Sequence, residues 1–265
     1  MRLAILGDPV AHSLSPLLHN AALRAAGLPG EYVARRVDAS GLVVAFDDLR
    51  SGQLDGANVT MPHKMLAAGT CDGLAATAAR SGAVNTLVRI GTAVVGHNTD
   101  VDGVRLAWGS AGLPTSDAVL VLGAGGAAAA ALLALDGRKL FLAARRPDHA
   151  AALVEHVGVD AAVVEWASPM PGAVVVNATP LGMRGESLPN GVVESCSGLL
   201  DMVYGPGGTP AGRAAAAAGV PVADGTTMLL GQAVESFRLW TGRAAPVAAM
   251  TTALATAAHR AEAHA

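Results

Sequence analysis

Residues 118–135 read AVLVLGAGGAAAAALLAL, 18 consecutive uncharged positions. That length is the lower limit for a membrane span. Gly123, Gly125 and Gly126 interrupt it within four positions, however, and alanine supplies most of the remainder. A buried strand, a tight turn and a helix fit the segment better than a span. The turn, Gly123-Ala124-Gly125-Gly126-Ala127-Ala128, has the form G-x-G-x-x-G/A directly after a strand and directly before a helix. The first glycine permits the turn and the second lets backbone approach a pyrophosphate. The small third position brings helix and strand close, and the helix N-terminus faces the phosphates.

The dinucleotide is chosen about twenty residues on, where NAD enzymes carry an acid for the ribose 2′-hydroxyl. Here the second strand, LFLAA, runs into Arg145 and Arg146, with no acid. Paired guanidiniums can clamp a 2′-phosphate bidentately, which predicts NADP. The missing acid also argues against an S-adenosylmethionine methyltransferase.

Apolar strands recur at 118–122, 139–143, 161–164, 173–177, 199–203 and 220–223, with helical stretches at 103–112, 125–136, 147–157 and 210–218. Continuous apolar runs that alternate with helices mark a parallel sheet covered on both faces. The first hundred residues also alternate. Strands are predicted at 2–6, 31–37 and 56–60, helices from Ser15-Pro16 and over 40–51, and a hairpin at 83–97. Ser15 and Pro16 suit N-cap and N1. The expected fold class is α/β: an N-terminal α/β domain at 1–102, a Rossmann-type doubly wound sheet at 103–235, and C-terminal helices at 236–265 that pack back on the first domain.

Charge narrows the partners. The formal net charge is −3, so there is no basic field to hold nucleic acid or an anionic membrane, and a small molecule is expected. Cys71 and Cys196 lie far apart without metal-ligand spacing. They read as core thiols of a reduced, cytoplasmic protein, and no metal site is expected. Of 18 basic residues only Lys64 and Lys139 are lysines. Arginine stays protonated at any working pH, whereas lysine can be brought to titrate. Lys139 reads as a solvated strand entry. Lys64 lies in a polar cluster and is the first candidate for chemistry.

Four such clusters sit at predicted strand ends, where open α/β sheets bind ligands. They are His12-Ser13-Leu14-Ser15-Pro16 with His19-Asn20, Asn58 to Lys64, Gly82 to Thr86, and Asn98 to Gly103. Hydroxyls, amides, one lysine and one carboxylate suit a polyhydroxylated acid. His12, His19 and His63 read as hydrogen-bonded packing beside a cleft.

In this order, GDPVAHSLSPLLHN, NVTMPHK, GAVNT, NTDVDG and GAGGA resemble the shikimate dehydrogenase family. NATPLGM at 177–183, DMVYGPGGTP at 201–210 and DGTTMLLGQAVESFRLWTG at 224–242 extend the resemblance over nearly the whole chain. It implies reversible reduction of 3-dehydroshikimate to shikimate with NADPH, a step toward chorismate and the aromatic amino acids, by a monomer or homodimer. It further implies that Ser13 and Ser15 bind the substrate carboxylate, that Thr60, Asn85 and Asp100 hold ring hydroxyls, and that Tyr204 and Gln232 complete the pocket from the other domain. Lys64 would be the general acid/base, paired with Asp100. Gly123, Ala124, Gly125, Gly126 and Ala127 would carry the cofactor, with Arg145 on the 2′-phosphate and Met202 and Gly225 near the nicotinamide. Three positions depart from the usual pattern: Ala129 replaces a common basic residue, Ala144 an asparagine and Arg146 a threonine. Quinate or aminoshikimate dehydrogenases of the same superfamily, and a non-catalytic nucleotide-binding module, are the competing readings.

Overall fold

The computed structural model of the chain describes residues 1–205 and 207–262, with side chains to residue 257. Its contacts divide it into two units, one formed by Met1–Thr99 with Gln232–Arg260 and the other by Asp100–Gly231. Residues 263–265 of the expected C-terminal segment lie outside the described residues.

The first unit contains β1 (Arg2–Gly7), α1 (Ser15–Ala25), β2 (Glu31–Arg36), α2 (Ala39–Arg50), β3 (Gly56–Val59), α3 (Lys64–Thr70), β4 (Gly73–Leu74), α4 (Ala76–Ser81), β5 (Thr86–Ile90) and β6 (Ala93–His97). Its sheet runs β2-β1-β3-β5-β6-β4, with β5 antiparallel to β3 and β6. The C-terminal ends of β1, β3 and β6 and the N-terminal end of β5 therefore share one edge. Leu42, Phe46 and Leu49 of α2 pack with Ala4, Leu6, Val59 and Leu87 of the sheet in one apolar core.

The second unit holds α5 (Asp100–Ser110), β7 (Val119–Leu122), α6 (Gly126–Ala134), β8 (Leu140–Ala143), α7 (Pro147–Val157), β9 (Ala161–Val164), β10 (Val174–Asn177), β11 (Gly198–Asp201), α8 (Pro210–Ala217) and β12 (Val222–Ala223). Its sheet is parallel throughout and runs β12-β11-β10-β7-β8-β9. That is the doubly wound order, with the switch point between β7 and β10. Two apolar cores cover its faces, one with α5 and α6 and the other with α8. The uncharged stretch at 118–135 is thus β7, a glycine turn and α6. Among the described residues no helix is long and apolar enough to cross a membrane.

Two helices complete the chain, α9 (Gly225–Thr241) and α10 (Val247–Glu262). Early in α9, a Cβ on Gly231 would lie 2.9 Å from the Cα of Gly103 in α5, so these helices meet backbone to backbone. Late in α9, Trp240 donates its indole N–H to the Leu87 carbonyl at 2.9 Å, and its ring fills the space where a Cβ on Gly56 would stand.

Three local expectations change. Ser15 is the first helical residue of α1 and Leu14 its cap; the Ser13 hydroxyl accepts the Ser15 N–H at 3.2 Å. Between Lys64 and Ser81 the chain forms α3, β4 and α4, which the periodicity did not show because Met65, Leu66 and Leu74 are exposed. His63 packs as expected, its Nε2 2.8 Å from the Val37 carbonyl oxygen, and His12 is exposed. His19 differs. It is fully buried, stacked on Tyr32 with centroids 4.5 Å apart and tilted against Trp240 at 5.1 Å, and neither ring nitrogen has a hydrogen-bond partner among the described residues. The aromatic enclosure takes the ring for its apolar area, not for its nitrogens.

Burial holds the His19 pKa down to about 3 from an ordinary 6.5. The unfolded chain therefore binds a proton below pH 6.5 that the folded chain refuses until near pH 3. Stability from this residue is complete above 6.5 and is lost as the pH falls, at up to about 1.4 kcal/mol per unit. Denaturant titrations at pH 7 and pH 5 should show wild type losing roughly 2 kcal/mol more than His19→Phe, which keeps a stacked ring but cannot protonate. Equal losses would remove His19 as the cause.

Candidate functional site

The shared edge of the first sheet is built by backbone pairing between its loops. The Asp8 N–H donates to the Met61 carbonyl at 3.0 Å and the Thr60 N–H to the Leu6 carbonyl at 2.9 Å, which ties the loop after β1 to the loop after β3. Gly7 makes this approach possible, since a Cβ there would collide with the Thr60 methyl. The peptide bonds Asp8–Pro9 and Met61–Pro62 are both cis. Lys64 opens α3, and its carbonyl accepts the Val84 N–H at 2.9 Å. The lysine backbone is thus held from the β3 side and from the β5 side, while its side chain stays partly exposed.

Asn85 precedes β5 and is buried. Its side-chain oxygen accepts the Thr99 N–H at 2.8 Å, and its amide donates to the Thr99 hydroxyl at 3.0 Å. Beneath it stands a cluster in which Tyr32 and Ser236, which no sequence pattern announced, join Asn58 and Thr86. The Tyr32 hydroxyl donates to Asn58 Oδ1 at 2.7 Å, and Asn58 Nδ2 lies 3.0 Å from the Asn85 carbonyl, 3.0 Å from the Thr86 hydroxyl and 3.1 Å from that of Ser236. All of these residues are at most 4% exposed, so each polar atom depends on the others. Within this unit Thr60, Lys64 and Asn85 come to the one sheet edge, Ser13 and Ser15 stand where the segment leaving β1 enters α1, and Gln232 lies one turn before Ser236 on α9. Asp100 starts α5 with Asp102 in the same first turn, where carboxylates complement the helix dipole.

In the second unit, Gly123 has φ +114°, and a Cβ there would meet the Ala178 carbonyl at 2.9 Å. Gly125 caps α6 without any side chain to occupy the first amides, and nothing lies within 4 Å of where its Cβ would be. Ala128 to Ala131 are fully buried, so the small residues bring α6 down onto the sheet while its N-terminus stays accessible at Ala124 to Ala127. Arg145 and Arg146 are exposed at the end of β8 with no carboxylate between strand and arginine. An open cradle of backbone amides beside two arginines fits a dinucleotide with a 2′-phosphate.

The loop after β11 carries Met202 and Tyr204 and is fixed by a second buried polar group that the sequence did not reveal. Asp201 accepts the Val203 N–H at 3.1 Å, the Asn177 amide at 2.9 Å and the Thr209 hydroxyl at 2.5 Å. Burial raises its carboxyl above the ordinary carboxylate range, against the pull of those three bonds. Gly225 lies against this loop, with a Cβ position 2.6 Å from the Val203 carbonyl. Among the described residues no group of three or more His, Cys, Asp or Glu is placed to hold a metal ion.

Comparison with known proteins decides the family. Residues 5–87 match the shikimate dehydrogenase substrate binding domain, and residues 225–255 match the shikimate 5'-dehydrogenase C-terminal domain. A shikimate dehydrogenase (NADP(+)) of Gluconobacter oxydans is 39% identical over 90% of this chain and 89% of its own. The chain belongs to the shikimate dehydrogenase family. One from Natronomonas pharaonis is 40% identical over 94% of this chain and 97% of its own. Shikimate 5-dehydrogenase of Thermus thermophilus, solved in complex with NADP(H) and shikimate, superposes with a TM-score of 0.88 at 36% identity, covering 98% of this chain and 99% of that one. The two-unit α/β architecture is that of the shikimate dehydrogenase family, and the expected fold class holds.

The glycine turn gives a direct test. Gly123→Ala combines a left-handed backbone with a clash against fixed backbone, so it should destabilise the protein by roughly 1–3 kcal/mol and lower its thermal midpoint by several degrees. Gly125→Ala faces open space at an ordinary φ and should leave the midpoint close to wild type. Equal midpoints for both variants would contradict the packing described.

Proposed function

We propose that the chain catalyses the reversible reduction of 3-dehydroshikimate to shikimate with NADPH. The observation that carries this reading is the likeness to the Thermus thermophilus enzyme with NADP(H) and shikimate, at 36% identity over 98% of the chain. It is supported by Lys64, Thr60 and Asn85 meeting at one sheet edge and by the open amide cradle of α6.

When bound, NADPH supplies a hydride to the ring carbonyl. Lys64 gives the carbonyl oxygen its proton in the reducing direction and takes the alcohol's proton in the other, which requires it within hydrogen-bond reach of that oxygen. Asp100 fixes the ammonium and a ring hydroxyl. Ser13 and Ser15 hold the substrate carboxylate, Thr60 and Asn85 the remaining hydroxyls, and Tyr204 and Gln232 orient the ring. The backbone from Gly123 through Ala124, Gly125 and Gly126 to Ala127 receives the pyrophosphate, Arg145 the 2′-phosphate, and Met202 with Gly225 border the nicotinamide. The chain acts as a monomer or homodimer.

Two measurements test this. Lys64→Ala should lower turnover with shikimate by roughly 10²–10⁴ while NADP still binds, and Lys64→Arg should do the same because it keeps charge without a transferable proton. Near-normal turnover of Lys64→Arg would assign the proton to another donor. Arg145→Ala should raise the KM for NADP roughly 10- to 150-fold and leave that for NAD nearly unchanged, with Arg146 as partial support. An unaltered NADP/NAD ratio in the double alanine variant would remove the phosphate clamp.

A further inference from the structure

Ser236 sits in the middle of α9, fully buried. Its hydroxyl donates to the Gln232 carbonyl at 2.9 Å and lies 2.9 Å from the Thr86 hydroxyl, 3.1 Å from the Thr99 hydroxyl and 3.1 Å from Asn58 Nδ2. A hydroxyl oxygen has one hydrogen and two lone pairs. With the hydrogen on Gln232, three neighbours share the two acceptor sites, and the remaining hydroxyl turns to Asn85 Oδ1, which lies 3.1 Å from both Thr86 and Thr99.

We propose that Ser236 is a positioning residue for the substrate site, acting through Asn85, Thr99 and the Gln232 carbonyl. This rests on the substrate-site reading in which Asn85, Asp100 and Gln232 hold the substrate. Each of the three adjoins one of the serine's partners. Asn85 is bonded to Thr86 and Thr99, Asp100 follows Thr99 in the chain, and Gln232 lends its carbonyl. The serine oxygen therefore sets the orientation of the Asn85 amide. Without it the Thr86 and Thr99 hydroxyls, 3.1 Å apart, are left with each other and with Asn85 Oδ1, which already accepts the Thr99 N–H, so a hydroxyl hydrogen is shifted toward Asn85 and the amide turns. Asn58 transmits the same constraint to Tyr32.

Ser236→Ala is nearly isosteric and improves helix propensity, which offsets part of the cost of the lost hydroxyl. Shikimate oxidation with NADP should lose about 3- to 30-fold in kcat/KM, mostly as a raised KM for shikimate, while the KM for NADP stays within about two-fold. Because Ser236 acts through Asn85, Asn85→Ala/Ser236→Ala should be no worse than Asn85→Ala alone, within about two-fold. Thr86→Val, which deletes one hydroxyl of the cluster, should repeat the direction with a smaller loss and carries the test if the serine variant is too unstable to assay. Additive losses, or a change confined to thermal stability with wild-type KM for shikimate, would reduce Ser236 to a packing role. Wild-type kcat/KM in Asn85→Ala would instead overturn the substrate-site reading, and this inference with it.

Discussion

Five buried side chains with no charge among them, Asn58, Asn85, Thr86, Thr99 and Ser236, hold the first unit's functional edge in place. A buried amide or hydroxyl without a partner costs about 1–3 kcal/mol, so the cluster is stable only when every member is present in one geometry. Strand packing does not impose this, because apolar contacts are indifferent to small rotations. The cluster converts a sheet edge, which tolerates sliding, into a set of fixed directions. Asn85 inherits its orientation from it, and the Lys64 backbone is fixed beside Asn85 by the Val84 N–H on its carbonyl.

The second unit solves a different problem with a different residue. Its sheet brings the N-terminus of α6 to an accessible strand end, and the chain does so with alanine. Ala128 to Ala131 are fully buried, so α6 lies against β7 without large side chains between them. Each alanine buries little apolar area, and the sheet compensates with Val119 to Leu122 and Val174 to Val176, all essentially inaccessible. Buried polar fixation holds the loop after β11, where Asp201 gathers a backbone amide, an asparagine and a threonine.

How much could be seen in the sequence depends on the range of the interactions. The glycine turn, the parallel strands and the hairpin were legible because their causes lie within a few residues: a positive φ at Gly123, continuous apolar runs, Gly91 between β5 and β6. The clusters that carry Lys64, Asn85 and Asp100 were legible as polar residues at strand ends. Ser236 was not, since its partners Asn58, Thr86 and Thr99 lie 178, 150 and 137 positions away and nothing local marks it out on an amphipathic helix. The short elements α3, β4 and α4 escaped because they expose Met65, Leu66 and Leu74 and bury few residues to set a period. His19 misled through its chemistry, since a polar residue type was used for its ring alone.

The backbone contact of Gly231 with Gly103 has a topological consequence. The second unit begins three residues before one glycine and ends at the other, so its own termini are neighbours. On the first unit's side, Thr99 and Ser236 are likewise within hydrogen-bond distance. The second unit is thus an insertion whose ends already meet. The first unit encounters it as a hairpin encounters its loop, and the closure entropy of so long a loop is met by the folding of the insert itself. A fold arranged this way can vary what lies between Asp100 and Gly231 without redrawing the sheet of the first unit, because both ends of the insert already lie side by side.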